Sequence, residues 1–352
     1  MGHRYIHAST LIAILLGVSI CLGCNSIAGG DSFSPVRGPV VAVLGQSPFR
    51  VLLLDATTLA DVGTVPLATQ SIGMDSIGDR VLTAQCGQPG DKSDTRLGVI
   101  APGAGRISYF DTGCLDPEAV FSTRSGWSVV VNGVIDEHGQ RVERVIGAGT
   151  KVEPLTVPPA VQGGAATRDA VWLLCRPIDT GAAPAADRLL RVSGEGPAGQ
   201  ESLEVSATTA LCGLSNALVS IHPVAGGTRI VLRDATTGAV MRERLVEGLT
   251  GGIGLLWGAG DRIIVADASQ GDPSTVSRAV VFDEELRTLG EIEGLRGLTA
   301  AGIASDGSLV ICEADGVVSI RDPKDFEVVT SRQVGTRTGE LLDIAFVAPA
   351  SR

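Results

Sequence analysis

The stretch VLLLDATTLADVG at residues 51 to 63 returns, nearly unchanged, as IVLRDATTGAVMR at 230 to 242. In both places the word DATT follows an apolar run and precedes a second extended run. An aspartate there accepts backbone N–H groups two residues on, and the residues after it tolerate a bend, so DATT reads as a tight hairpin turn. A turn used twice forecasts related turns at even spacing between the copies. Taking the residue that follows each apolar run gives Asp55, Ala101, Gly147, Ser193, Asp234, Asp283 and Asp322, 39 to 49 residues apart. That is the period of a four-stranded propeller blade, counted seven times.

A second mark repeats in register with the first. Arg50, Arg96, Arg141, Arg188, Arg229 and Arg278 each open the apolar run, and Val317 stands at that place in the seventh unit. The regular spacing assigns these arginines to pairing with a nearby acid or carbonyl rather than to an anion-binding ring. Between the turns the texture is β throughout: RVLTA, WSVVV, VWLLC, ALVSI, RIIVA and SLVIC are short aliphatic runs, each opened by a polar turn. The run PVVAVLG at 39 to 45 matches a second strand, and the missing first strand is supplied by LLDIAFVAPA at 341 to 350. An all-β ring closed by its own C-terminal strand has no open end. These units resemble the seven-bladed propellers of the WD-repeat, YVTN and quinoprotein-like superfamily over residues 39–352, although the WD dipeptide is absent.

The chain starts differently. MGHRYIHAST precedes LIAILLGVSICLG at 11 to 23, an uncharged apolar run shorter than the roughly 20 residues of a spanning helix, so it reads as an export signal. The run ends in CLGCNS, which resembles the lipobox of bacterial lipoproteins and implies acylation of Cys24 after cleavage, with simple cleavage near Ala28 and secretion as the alternative. The expected organisation is a signal at 1–24, a flexible tether at 25–38 and a propeller at 39–352, anchored to the cell envelope through lipid. Asn25 resembles an outer-membrane sorting residue. Only Arg4 is charged in the first 24 residues, so their loss takes the net charge from −11 to −12. Such a protein repels phosphate backbones, which argues against nucleic acid as a partner.

In a propeller, the loops joining the second to the third strand share one face with the loops between blades. Here CGQPGDKSDTR (86 to 96), PIDTGAAPAADR (177 to 188) and DASQGDPSTVSR (267 to 278) are long and their counterparts are short. Unequal loops over a rigid ring make a candidate binding face, carried by Asp91, Asp94, Asp179, Asp187, Asp267, Asp272, His138 and His222. The pairs Asp91 with Asp94 and Asp267 with Asp272 are the possible Ca²⁺ ligands, although neither completes a loop motif; no other cofactor is expected. With the signal removed, His138 and His222 are the remaining histidines and are expected at the surface, too few for a His-centred triad.

Five cysteines remain in an oxidising compartment; the blade topology puts Cys86 and Cys114 at same-face loops of the second blade and Cys175 and Cys212 at the same-face junction of the fourth and fifth, which predicts disulfides Cys86–Cys114 and Cys175–Cys212 and leaves Cys312 a buried free thiol. No catalytic residue is assigned. The expected function is a non-enzymatic, monomeric scaffold binding an envelope protein or small ligand. A propeller enzyme, lactonase-like or quinone-dependent, would need an axial site, for which Asp75, Asn216, Asp306 and Asp343 are the candidates; Trp127, Trp172 and Trp257 are too few for a docking repeat. A third reading is an outer-membrane assembly factor, a resemblance weakened by the eight blades of that family.

Overall fold

The computed structural model describes residues 31–347 except 47, 88–93, 114, 137–138, 148–150, 158–159, 177–185, 195–200, 207, 248, 250–254, 260, 267–275, 305 and 336–340. Within it are seven four-stranded antiparallel sheets. We number them as blades 1 to 7 and letter their strands a to d from the axis outward. Blade 1 is Leu341–Val347, Val40–Gln46, Phe49–Asp55 and Asp61–Pro66, so the C-terminal strand is its strand a. It pairs Val347 with Val40 and Asp343 with Leu44, the closure expected from the sequence. The remaining a strands are Gln70–Ile77, Pro117–Ser122, Val161–Ala166, Ala210–Gly213, Leu255–Ala259 and Leu298–Ile303, and each packs beside the next until the last returns to Leu341–Val347. Among the described residues the one helical element is a 3₁₀ turn at Pro102–Ala104.

Why the ring is tight is visible in the a strands. Gly73, Gly213, Gly258 and Gly302 sit where an added Cβ would run into an adjoining blade; for Gly213 it would overlap the Ala166 carbonyl. Glycine is required there by close approach, of backbone at Gly73, Gly213 and Gly258 and of the Phe346 ring at Gly302, not by turning. The b and c strands form the core: Val41, Leu53, Leu54, Val81, Leu82, Val171, Leu173, Ile264 and Ile311 are fully buried. Both faces of a blade are covered by neighbours, which is why these strands read as continuous apolar runs rather than alternating ones.

DATT is a hairpin that also locks blades together. Asp55 Oδ1 accepts from Thr57 N (3.0 Å), Thr58 N (2.8 Å) and Thr58 Oγ1 (2.9 Å). Asp234 makes the same three bonds at the same lengths with Thr236 and Thr237. These bonds hold both carboxyls below the usual carboxylate range. The hairpin ends in a left-handed residue, and in three blades this is a large apolar one: Leu59 (φ 56°), Leu286 (φ 62°) and Phe326 (φ 62°). Each is buried against the preceding blade. The preceding d strand then reaches over, Arg332 Nη1 donating to Leu59 O at 2.9 Å and, by a similar bond, Arg244 to Leu286 O. Left-handed strain of order 1 kcal/mol is outweighed by burying a side chain worth about 2 to 3 kcal/mol.

Five of the repeated arginines pair with acids: Arg96 with Asp94, Arg141 with Glu143, Arg188 with Glu204, Arg229 with Glu243 and Arg278 with Glu291. Three of these acids stand on the adjacent d strand, so the arginines lace strands c and d on the rim.

The stretch 25–38, read as a tether, is docked over its described part: Phe33 N donates to Gly105 O (2.8 Å), Val36 N to Pro102 O (2.9 Å) and Ile107 N to Asp31 O (3.2 Å). Phe33 and Val36 pack into the core between blades 1 and 2, apolar residues that a solvated linker would not bury. The Cys175–Cys212 disulfide is absent, and both thiols are free. Cys175 faces the core between blades 3 and 4 while Cys212 faces the core between blades 5 and 6, so their side chains leave their sheets in opposite senses. Cys312 is the buried free thiol expected in strand b of blade 7. Cys86 is also free, its Sγ 3.5 Å from Gln70 O, and burial followed by nearby acids pushes its thiol up to about 12. Its expected partner Cys114 lies outside the described residues, as does Cys24.

Candidate functional site

The face bearing the b to c and inter-blade loops is built on three side chains that the sequence placed at its surface. Asp94 is buried. Arg96 grips it with Nε and Nη2 at 2.8 Å each, and Thr69 Oγ1 donates to Oδ2 at 2.6 Å. Burial pushes the Asp94 carboxyl up, but its bonds to Arg96 and Thr69 outweigh that and hold it below the usual range. With both oxygens so engaged, Asp94 is a brace for the loop base rather than an open cation ligand.

Asp187 repeats the device in blade 4. Arg176 donates to its two oxygens at 2.9 and 3.0 Å, and Thr208 N donates to Oδ2 at 3.0 Å. Arg176 Nη2 also reaches Thr208 O at 3.1 Å, tying blade 4 to the loop that leads into blade 5. His222, expected in an exposed loop, is instead buried inside the strand Ala217–Val224, because that b strand runs farther than its apolar stretch suggests. Its Nδ1 lies 3.1 Å from Ser206 Oγ and 3.3 Å from Thr208 Oγ1, and Nε2 lies 2.9 Å from Ser220 Oγ. Serine and histidine thus meet, while Asp187 is engaged with Arg176 and Thr208. Of the other loop residues, Asp91, Asp179, Asp267, Asp272 and His138 lie outside the described residues.

At the axis, Asp343 and Asp75 stand on the a strands of blades 1 and 2. Each accepts its own successor's N–H and one from the next blade: Asp343 from Ile344 N (2.9 Å) and Met74 N (3.0 Å), Asp75 from Ser76 N (2.7 Å) and Ser122 N (2.6 Å). The pair therefore stitches three a strands. Burial pushes Asp75 up to about 6 and Asp343 to about 7, against the N–H bonds that lower both, and the Asp75 charge adds to the rise at Asp343. Asn216 and Asp306 do not join them. They sit in the turns between strands a and b of blades 5 and 7, where Asp306 Oδ1 accepts from Ser308 N at 3.0 Å. Among the described residues no group of three or more His, Cys, Asp or Glu is placed to hold a metal. Trp172 serves the ring itself, its Nε1 donating to Ala235 O of the next blade at 3.0 Å.

Sequence reasoning missed these braces because their members are far apart in the chain. Thr69 precedes Asp94 by 25 residues and Thr208 follows Asp187 by 21. The available signal was an aspartate placed just before the repeated arginine, as in DTR at 94 to 96 and DR at 187 to 188.

No family model and no curated protein matches the chain. Solved structures share its fold. A functionally unknown protein from Desulfotomaculum acetoxidans is similar at 12% identity with a TM-score of 0.61, over 88% of this chain and 99% of that one. Apo AztD from Citrobacter koseri is similar at 14% identity with a TM-score of 0.51, over 90% and 100%. Dihydro-heme d1 dehydrogenase NirN, in complex with DHE, is similar at 13% identity with a TM-score of 0.55, over 88% of this chain but only 66% of its own length. At such identities the likeness is one of fold.

Proposed function

We propose that this chain is an exported lipoprotein, anchored through Cys24, whose propeller presents the loop-bearing face as a non-enzymatic scaffold for an envelope protein or small ligand. The observation that carries this is the use made of the face's polar residues. Asp94, Asp187 and His222 are bound inward by Arg96, Arg176 and four hydroxyls, which stiffens the loop bases. Rigid supports under loops of unequal length suit recognition of a surface better than proton transfer, for which a group must be left poised. A photo-reactive residue at exposed Ala225, in the b to c turn of blade 5, should cross-link one envelope protein in cells. The same residue at Asp79, on the opposite face, should not. Equal labelling from both positions, or none from either, would count against the scaffold. The lipid anchor has a separate readout: the mass of the mature N-terminal peptide should carry the acyl groups on Cys24.

A second reading rests on Asp75 and Asp343, neighbouring carboxyls whose raised pKa values suit an acid and base pair at an axial site. Their engagement with backbone N–H groups favours structure over chemistry. Hydrolysis of lactones that is abolished by Asp343→Asn, with the fold intact, would reverse that preference.

A further inference from the structure

The two DATT repeats also align the d strands after them, and the alignment exposes an unfilled groove. In blade 1, Leu54 pairs with Asp61 and Leu53 with Gly63, so Val62 is skipped in a bulge. In blade 5, Arg233 pairs with Val240 and Leu232 with Arg242, so Met241 is skipped in the same way. Blades 6 and 7 repeat the shift, skipping Leu289 and Val329. A bulge turns the skipped side chain out of the ladder. All four are apolar. Met241, Leu289 and Val329 are 54%, 44% and 63% exposed, whereas Val62 is half-buried against the first core, to which Phe33 and Val36 from the strap of residues 31 to 38 also belong.

How the strap sits on blades 1 and 2 is informative. Blade 2 has Gly105 at the left-handed place of its hairpin, and a Cβ there would strike Phe33 O. Phe33 thus enters the space filled in other blades by Leu59, Leu286 or Phe326. Val36 covers the groove beside it, 3.8 Å from where a Gly63 Cβ would be, with its N–H on Pro102 O at 2.9 Å. Between blades 5 and 6 Leu286 fills the first space, and the second is an open cleft of about 240 Å³. The cleft is floored by Leu214, Ala217 and Leu232, and edged by Met241, Arg242 and the hairpin acids Glu284 and Glu285. Leu232, Met241 and Arg242 occupy the positions of Leu53, Val62 and Gly63.

We propose that this cleft docks an extended segment of a partner protein, placing one aliphatic side chain where Val36 lies in the first groove. The segment carries a basic residue next to it. The charge follows from the hairpin tips: Pro102 to Ala104 in blade 2 are neutral, while Glu284 and Glu285 offer two carboxylates, one of them already paired with Arg287 at 2.9 Å. Arg242 stands ready to donate to the segment's carbonyls, and the outer edge of Val240–Glu247, which pairs with no further strand among the described residues, can extend the ladder to it. This deepens the scaffold reading, on which it rests, by giving it a second surface of stated chemistry.

The chain's own strap provides the probe. A fluorescent peptide of residues 31 to 38, DSFSPVRG, added to the intact protein should bind saturably, and its affinity should fall roughly tenfold with Met241→Asp in the protein or with Val36→Asp in the peptide. Reversing Glu284 and Glu285 to Lys should weaken it similarly and remove its salt dependence. Val329→Asp, at the same bulge of blade 7, should leave binding unchanged. Absence of saturation at millimolar peptide, unchanged binding to Met241→Asp, or equal loss with Val329→Asp would overturn the proposal. None of these results touches the loop-bearing face, whose test is cross-linking at Ala225, so the two readings fail separately.

Discussion

Titration of Glu143 should change the stability of the ring. The residue lies in strand c of blade 3 with its side chain wholly buried, and burial pushes its pKa from 4.5 up to about 8. Asn132 Nδ2 donates to Oε2 at 3.0 Å, and the Arg141 Nε, on an exposed side chain, stands 3.6 Å from Oε1. A carboxyl raised in this way keeps its proton in the folded state where the unfolded chain has lost it. Its favourable contribution is full below 4.5 and disappears as the pH climbs through 8. At about 1.4 kcal/mol per unit, the span corresponds to an upper bound of about 5 kcal/mol. Reorganisation around Arg141 and Asn132 reduces what is measurable to ~2 kcal/mol. Glu143→Gln holds the neutral shape at every pH. Its melting temperature should match the parent near pH 5 and exceed it by roughly 4 °C near pH 9, taking roughly 2 °C per kcal/mol for a chain of this size. Calorimetry of both proteins across that range is the assay. A difference that does not change with pH, or one that grows toward acid, would refute the assignment of Glu143 as a buried, neutral acid.

Three other perturbations probe the ring. Gly213→Ala drives a Cβ into the Ala166 carbonyl and should cost about 2 to 3 kcal/mol, read as a lower denaturation midpoint, whereas Gly226→Ala, in open space, should cost no more than its left-handed backbone demands, about 1 kcal/mol. Leu59 should show an inverted order of truncations: Leu59→Gly more stable than Leu59→Ala by about 1 kcal/mol, because glycine sheds the left-handed strain that alanine keeps. Asp343→Asn should remove a carboxyl whose contribution is present below 3.8 and lost as the pH rises through about 7, so the variant should gain on the parent above neutrality in urea titrations. Because the residue is only half-buried, that gain is expected to be ~1 kcal/mol.

Much of the architecture was legible in the chain because its physical cause is local. DATT carries its own three hydrogen bonds within four residues, so both copies form the same turn wherever they stand. The strand runs, the repeated arginines and the C-terminal partner for Val40–Gln46 followed from spacing alone. The candidate face was located by loop length, but the behaviour of its residues was not. His222 was misplaced because strand b continues past its apolar run through His222, Pro223 and Val224. The Cys175–Cys212 pairing failed because proximity of two strands along the ring says nothing about which side of each sheet a residue faces, and a single step in register reverses it.

The sequence by itself determined that seven small sheets repeat and that the tail completes the first, since hydrogen bonding and apolar periodicity act over a few residues and leave their mark in composition. Only the tertiary structure decided what fills the space between blades: Leu59, Leu286 and Phe326 from the hairpins, Phe33 and Val36 from the strap, and an open cleft beside Met241. Those outcomes depend on volumes and directions contributed by segments far apart in the chain, and close packing is satisfied only when all of them are in place.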